Sequence, residues 1–203
     1  MSTFICEQNI ANFQKLLDNG ADAALQRTLQ ALLASAKREL AMLQSHADGA
    51  ERRRPGHRQT PVDTQSVRQD IQTEFDASRH AYMLLDPGPG LSILDINDAY
   101  ARATLINRKD VVGRSLFEIF PDNPNDQFAN GVSNLYASLK IVAQSGEPHA
   151  MAVQRYDIRN PDGEFVERHW QPINSPINDK ARRLVFLLLQ IEDVTDQMTG
   201  PQR

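Results

Sequence analysis

A single cysteine, Cys6, stands with five histidines in a chain of 203 residues. One thiol builds neither a disulfide framework nor an all-cysteine zinc or iron–sulfur site. His149 and His169 fall in strand-like segments and His80 just precedes one, and no histidine or carboxylate set has metal-ligand spacing. Nucleophilic catalysis finds no elbow or triad signature, and there is no kinase catalytic loop. In Gly88-Pro89-Gly90 a proline stands where a phosphate cradle needs an N–H donor. The expectation is a protein that is not an enzyme. What remains are hydrogen-bonding and aromatic side chains. The candidate ligand-binding residues are Tyr100, Tyr136, Gln154, Tyr156, Arg168, Trp170 and Asn174. Trp170, the only tryptophan, reads either as pocket wall or as a core or dimer-face aromatic. Arg168 pairs either with an anionic ligand or with Glu164 or Asp157, the second being an ion pair of little worth.

Composition narrows the class. The net charge is −4, with 24% charged and 40% hydrophobic residues. That apolar fraction supports a core, and the length allows one full domain plus an appendage or two small domains. The acidic balance argues against nucleic acid. Leu184–Leu189 is the longest apolar run of the second half, far short of a span, and no signal peptide opens the chain. A cytoplasmic setting without membrane contact is expected. Residues 1–80 carry ten acidic and ten basic side chains, whereas residues 81–203 carry sixteen acidic and twelve basic. The chain therefore divides near residue 80.

The first part reads as helix. Asn9 or Asn12 can cap a start, and Ile10, Phe13, Leu16 and Leu17 recur at helical spacing. Asp18-Asn19-Gly20 is a stop. From about Asp22, Leu25, Leu29, Leu32, Leu33, Ala36, Leu40 and Leu43 continue a stripe. The pair is an αα-hairpin over 1–45, too small to be stable alone, so it packs on its own second domain or on a copy of itself. Residues 46–65 read as a solvated linker punctuated by Gly49, Pro55, Gly56 and Pro61, with a basic cluster at Arg52, Arg53, Arg54 and Arg58. A third helix starts at Asp63, with Val67, Ile71 and Phe75 on one side. The candidate dimer contact is Phe13, Leu17, Leu25, Leu29, Leu32, Val67 and Ile71.

The second part mixes α and β. Ala81–Asp86 and Leu91–Asp95 are strands about the turn Pro87–Gly90. Asn97-Asp98 caps a short helix, and Arg108–Val112 and Ser115–Phe120 are short helical pieces. Gln127–Ser145 is the one long helix, with Phe128, Val132, Leu135, Leu139 and Val142 as its stripe, ended by Gly146. Three strands, His149–Arg159, Glu164–Ile173 and Arg183–Ile191, close the chain, the first two joined by the turn Asn160–Gly163. Pro172 and Pro176 are expected to bend or end the middle strand. The order predicts an α+β fold, a five-stranded antiparallel sheet with helices on one face, preceded by an all-α hairpin.

Five passages resemble a PAS domain over residues 66–196. They are Tyr82–Asp86 with its Gly/Pro turn, Ile96–Tyr100, Asp110–Phe120, Asn160–Gly163 and Glu192–Thr195. Arg168–Pro172 and Asn174–Pro176 resemble a bacterial sensor subgroup. The helical hairpin more loosely resembles segments upstream of PAS domains in bacterial signalling proteins. The resemblance implies a sensor or dimerisation module in bacterial signal transduction, including two-component systems. Its implied partners are a second copy, a histidine kinase or other output protein, and a small-molecule ligand. It also implies a test for cofactors. Flavin photochemistry in this family needs a cysteine in Ser115–Asp126, which has none, and Gln190 sits one residue out of register for flavin contact. Haem-binding members take a histidine from the long helix, and Gln127–Ser145 has none. No cofactor is indicated. The alternative function is a PAS pocket that senses a small cofactor or metabolite.

Overall fold

A computed structural model describes residues 2–20, 22–52, 63–126 and 128–199. Helix α1 (Thr3–Asp18) begins earlier than expected. Ser2 is its cap, accepting from the Ile5 N–H, so Asn9 and Asn12 lie inside the helix. The turn passes through Gly20 at φ 82°, and the Asp22 carboxylate then accepts from the N–H groups of Ala24 and Leu25 to open α2 (Ala23–Arg52). Helix α2 runs 30 residues, about 45 Å at 1.5 Å per residue. It continues past Ser45 through His46 and Gly49, which the sequence assigns to the linker. The reason is a close approach: a Cβ on Gly49 would come within 2.2 Å of the Gly88 carbonyl carbon. Gly49 is thus a contact point where α2 meets the Pro87–Gly90 turn. Arg53, Arg54 and Arg58 lie outside the described residues.

Asp63 caps α3 (Thr64–Ala77) by accepting from the Ser66 N–H at 2.9 Å. There follow β1 (Ala81–Leu85), β2 (Ile93–Ile96), α4 (Asp98–Thr104), α5 (Arg108–Val111), α6 (Leu116–Ile119) and α7 (Gly131–Ser145). Phe128, expected on the α7 stripe, lies before the helix and is 78% exposed. The predicted strand His149–Arg159 is broken into β3 (His149–Ala150), β4 (Gln154–Arg155) and β5 (Ile158–Arg159). The chain ends with β6 (Phe165–Val166), β7 (His169–Asn178), β8 (Leu184–Asp193) and α8 (Thr195–Thr199).

The sheet order is β2-β1-β8-β7-β3, antiparallel throughout, with β4 also on β7, so β3 and β4 together fill the fifth position. The small ribbon β5-β6 stands apart. Strand β7 runs straight through Pro172 and Pro176, against expectation. The Met151 N–H donates to the Pro172 carbonyl at 2.9 Å, so the nitrogen of Pro172 faces the outer strand too. Past that bond residues 152 and 153 have left the ladder, and Pro176, four residues on, faces the same edge beyond the start of β3. Both missing donors therefore fall where no partner strand needs them.

Inward-facing Leu187, Leu189 and Ile191 of β8 join Met83, Ile93, Leu116, Phe117, Val132 and Leu139 in the main core, between the sheet and α4–α7. Helix α2 covers the outside of these helices and contributes Ala41. The other sheet face is covered by α3, whose Val67, Ile71 and Phe75 pack with Leu84, Val185 and Phe186. Val67 and Ile71, two of the candidate dimer residues, pack partly buried against their own sheet.

Candidate functional site

The site is a cavity of about 60 Å³ between the inner sheet face and the ends of three helices. Tyr100 and Thr104 come from α4, Leu116 from α6, and Gly131 and Leu135 from α7. Gln154 of β4, Trp170 and Pro172 of β7, and Leu189 and Ile191 of β8 form the sheet side, with Phe120, Tyr156 and Ile158 closing it.

Local sequence explains each placement. Asn97 caps α4. Its Oδ1 accepts from Tyr100 N–H at 2.9 Å and Tyr82 N–H at 3.0 Å, while its Nδ2 donates to the carbonyls of Phe75 and His80. One side chain thereby ties the end of α3 to the helix that carries Tyr100. Tyr156 reaches the α7 start because residue 131 is glycine; a Cβ there would fall 1.9 Å from Tyr156 Cδ2. The Tyr156 hydroxyl donates to the Phe120 carbonyl, and the Trp170 indole N–H donates to the Tyr156 carbonyl at 2.8 Å. Tyr100 meets Phe120 edge-on with centroids 6.2 Å apart.

Electrostatics favour neutral groups here. Burial pushes the phenols of Tyr100 and Tyr156 well above the usual tyrosine range, Asp122 adding to the effect on Tyr156. Asp122 is itself pushed up by burial, offset in part by N–H bonds from Val132 and Gly131 at the start of α7.

Of the seven predicted ligand residues, Tyr100, Gln154, Tyr156 and Trp170 come together in this wall. The other three are elsewhere. The Tyr136 hydroxyl donates to Asp48 of α2 at 2.5 Å, beside a 3.1 Å ion pair from Lys140. Asn174 is buried between β7 and α7, donating to Ser138 Oγ at 2.7 Å, and Ser138 also bonds His149. Arg168 pairs with Asp193 at 3.4 Å, neither Glu164 nor Asp157. Asp193 in turn accepts from the Thr195 N–H, and Thr195 Oγ1 accepts from His169 N–H, so this ion pair belongs to the exit of β8. Gln190 alternates with core residues Leu189 and Ile191 and so faces away from the cavity. Sequence reading missed Thr104, Leu135, Gly131 and Met151 as wall residues; only the helical step from 131 to 135 hinted at a shared face. Among the described residues no cluster of His, Cys, Asp or Glu is placed to hold a metal, and no helix is long and apolar enough to cross a membrane.

Solved structures share this architecture. The LOV protein of Rhodobacter sphaeroides is 16% identical, with a TM-score of 0.50 over 67% of this chain and 70% of that one. The d2 variant of RsLOV matches at 16% identity and a TM-score of 0.51, again over 67% and 70%. The PAS domain of a protein from Colwellia psychrerythraea is 14% identical, with a TM-score of 0.46 over 63% of this chain and 97% of that one. No family profile and no curated protein matches the chain.

Proposed function

From the PAS/LOV fold that the chain adopts, we propose that it is a non-catalytic sensing and dimerisation module that pairs with a second copy through its helical hairpin. Fold alone does not assign that role; the observation that carries it is an uncovered apolar flank. Ile5 and Leu16 are 46% and 50% exposed, and Leu25 and Leu32 are 50% and 45% exposed. The first pair lies three turns apart on α1 and the second two turns apart on α2, so each is a stripe on one helix face. Both stripes lie on helices that pack against each other and bury Cys6, Leu29 and Leu33. Of the predicted dimer residues on the hairpin, Leu25 and Leu32 are outward, Phe13 and Leu17 are partly buried and Leu29 is buried. A second hairpin offers the same leucines in return, as a two-fold contact requires.

The signal passes as a change in helix packing. Helix α3 is held to the sheet edge by the buried Asp95 carboxylate, which accepts from Arg68 of α3 and Arg108 of α5. A histidine kinase or other cytoplasmic output protein in a bacterial system would read that change. The test is light scattering after size exclusion on the full chain at micromolar concentration. The wild type should run as two copies and Leu25→Glu/Leu32→Glu as one, with an unchanged melting temperature for the PAS core. A single-copy wild type overturns the reading.

The cavity favours a second reading, a pocket that senses a small molecule. Drug-sized and cofactor ligands occupy roughly 300–1,000 Å³. At about 60 Å³, this wall has no room for a flavin or haem with its side chains in place. A metabolite of a few atoms is the ligand it fits. Native mass spectrometry of the intact protein tests this by retained mass.

A further inference from the structure

We infer that the cavity takes a small neutral molecule with an apolar body and one hydrogen-bond acceptor, bound by the Tyr100 hydroxyl. This rests on the pocket reading above and adds the ligand's chemistry.

The argument is an accounting of polar groups in the wall. The Tyr156 hydroxyl is spent on the Phe120 carbonyl and the Trp170 indole on the Tyr156 carbonyl. The Thr104 hydroxyl donates to the Tyr100 carbonyl at 2.8 Å. Gln154 is used at both ends: its Nε2 donates to Ala152 and Val153, and its Oε1 accepts from Asn134 at 2.6 Å. The Tyr100 hydroxyl alone among these side chains has no hydrogen-bond partner within the described residues. Yet Tyr100 is only 3% exposed, and its position is fixed through Asn97 and the edge-on ring of Phe120. The hydroxyl itself is not sealed off: it meets the open space of the cavity, where it offers a donor to water or to a ligand acceptor.

The rest of the wall sets the remaining properties. No charged side chain lines it, so a charged ligand would lose its hydration without compensation. Burial keeps the Tyr100 phenol protonated, hence a donor. The volume of about 60 Å³ is under half of the ~150 Å³ that holds benzene, which limits the ligand to about three heavy atoms.

Two probes separate the claims, dimethyl ether and its isostere propane, in which a methylene group replaces the ether oxygen. Each is titrated into the full chain in sealed tubes, with the indole N–H of Trp170 as the NMR reporter. The quantity read is the ratio of affinities, ether over hydrocarbon. It should fall about tenfold in Tyr100→Phe, the value of one hydrogen bond. The phenylalanine variant keeps the ring and should melt close to wild type, since no hydrogen bond within the described residues is lost. An unchanged ratio, with both probes still shifting Trp170, overturns the Tyr100 role while the pocket reading stands. No shift with either probe overturns both.

Discussion

The hairpin and the PAS core solve the same problem, covering apolar side chains, with opposite outcomes. In β8, alternate residues Leu187 and Leu189 are sealed by the chain's own helices. In α2, Leu29 and Leu33 are buried, but Leu25 and Leu32 on the adjoining face are half open. The core is closed on itself and carries the stability. The hairpin is only partly closed, so its arrangement is free to depend on what it meets.

The sharpest way to break that comparison is to cut each region once. Asn97→Ala orphans four backbone groups at the junction of α3, β1 and α4. At roughly 1–3 kcal/mol for each buried orphan, not fully additive, the loss should exceed about 3 kcal/mol in urea unfolding followed by Trp170 fluorescence. Leu25→Ala, on the half-open face, should cost less than about 1 kcal/mol to the same transition. Equal losses would mean that the two regions unfold as one unit and that the contrast is false.

Gly131→Ala comes next. The added methyl would overlap the Tyr156 ring, so the ring must swing and abandon the Phe120 carbonyl. Overpacking of this kind costs about 1–3 kcal/mol. The Trp170 emission should shift as well, because its indole bonds the Tyr156 carbonyl. A variant as stable as wild type with unchanged emission would show that Tyr156 does not rest against α7.

These positions also show where sequence reading stops. The last strand was legible because Arg183–Ile191 holds the apolar run Leu184–Leu189, and the caps Asp63 and Asn97 were legible because their bonds are local. Tyr136 was not legible as a partner of Asp48, 88 residues away, since its type and helix position fit pocket and latch equally. Gly49 read as a breaker because its reason, the Pro87–Gly90 turn, arrives from the other domain. The leucine stripe of α2 gave the apolar face but not the division between α1, the core helices and solvent. Periodicity reports that a face wants cover, and only tertiary placement says what supplies it.

Two buried carboxylates sharpen the comparison by pH, with opposite signs. For Asp157, burial alone would raise the pKa, but hydrogen bonds from Arg155 and Asn123 outweigh it and hold the carboxyl below its usual range. Its contribution is complete above the unfolded aspartate value of about 3.9 and is lost as pH falls through the lower folded value. Asp122 is raised by burial, so its folded form takes up a proton first and the protein gains from that group as pH falls. Asp122→Asn keeps an acceptor for Val132 and removes the buried charge. It should melt higher than wild type at pH 7, with the difference shrinking toward pH 3.5. Asp157→Asn should melt lower at pH 7, with the deficit also shrinking at acid pH. Parallel behaviour of the two variants would refute the assignment of burial to one and ion pairing to the other.

The smallest effect belongs to Arg168, and its smallness is informative. Its ion pair with Asp193 spans 3.4 Å between side chains about a third exposed, where solvent and salt screen the attraction to less than about 1 kcal/mol. Arg168→Gln should therefore leave the unfolding midpoint nearly unchanged. Its readout lies instead at α8, where Asp193 also accepts from the Thr195 N–H and Val194 N–H donates to the His169 carbonyl at 2.8 Å. Amide hydrogen exchange at Thr195–Met198 should quicken in Arg168→Gln while β7 and β8 exchange as before. Unchanged protection at α8 would show that the backbone bonds alone hold the exit, and would leave the junction between PAS core and any following element without an electrostatic lock.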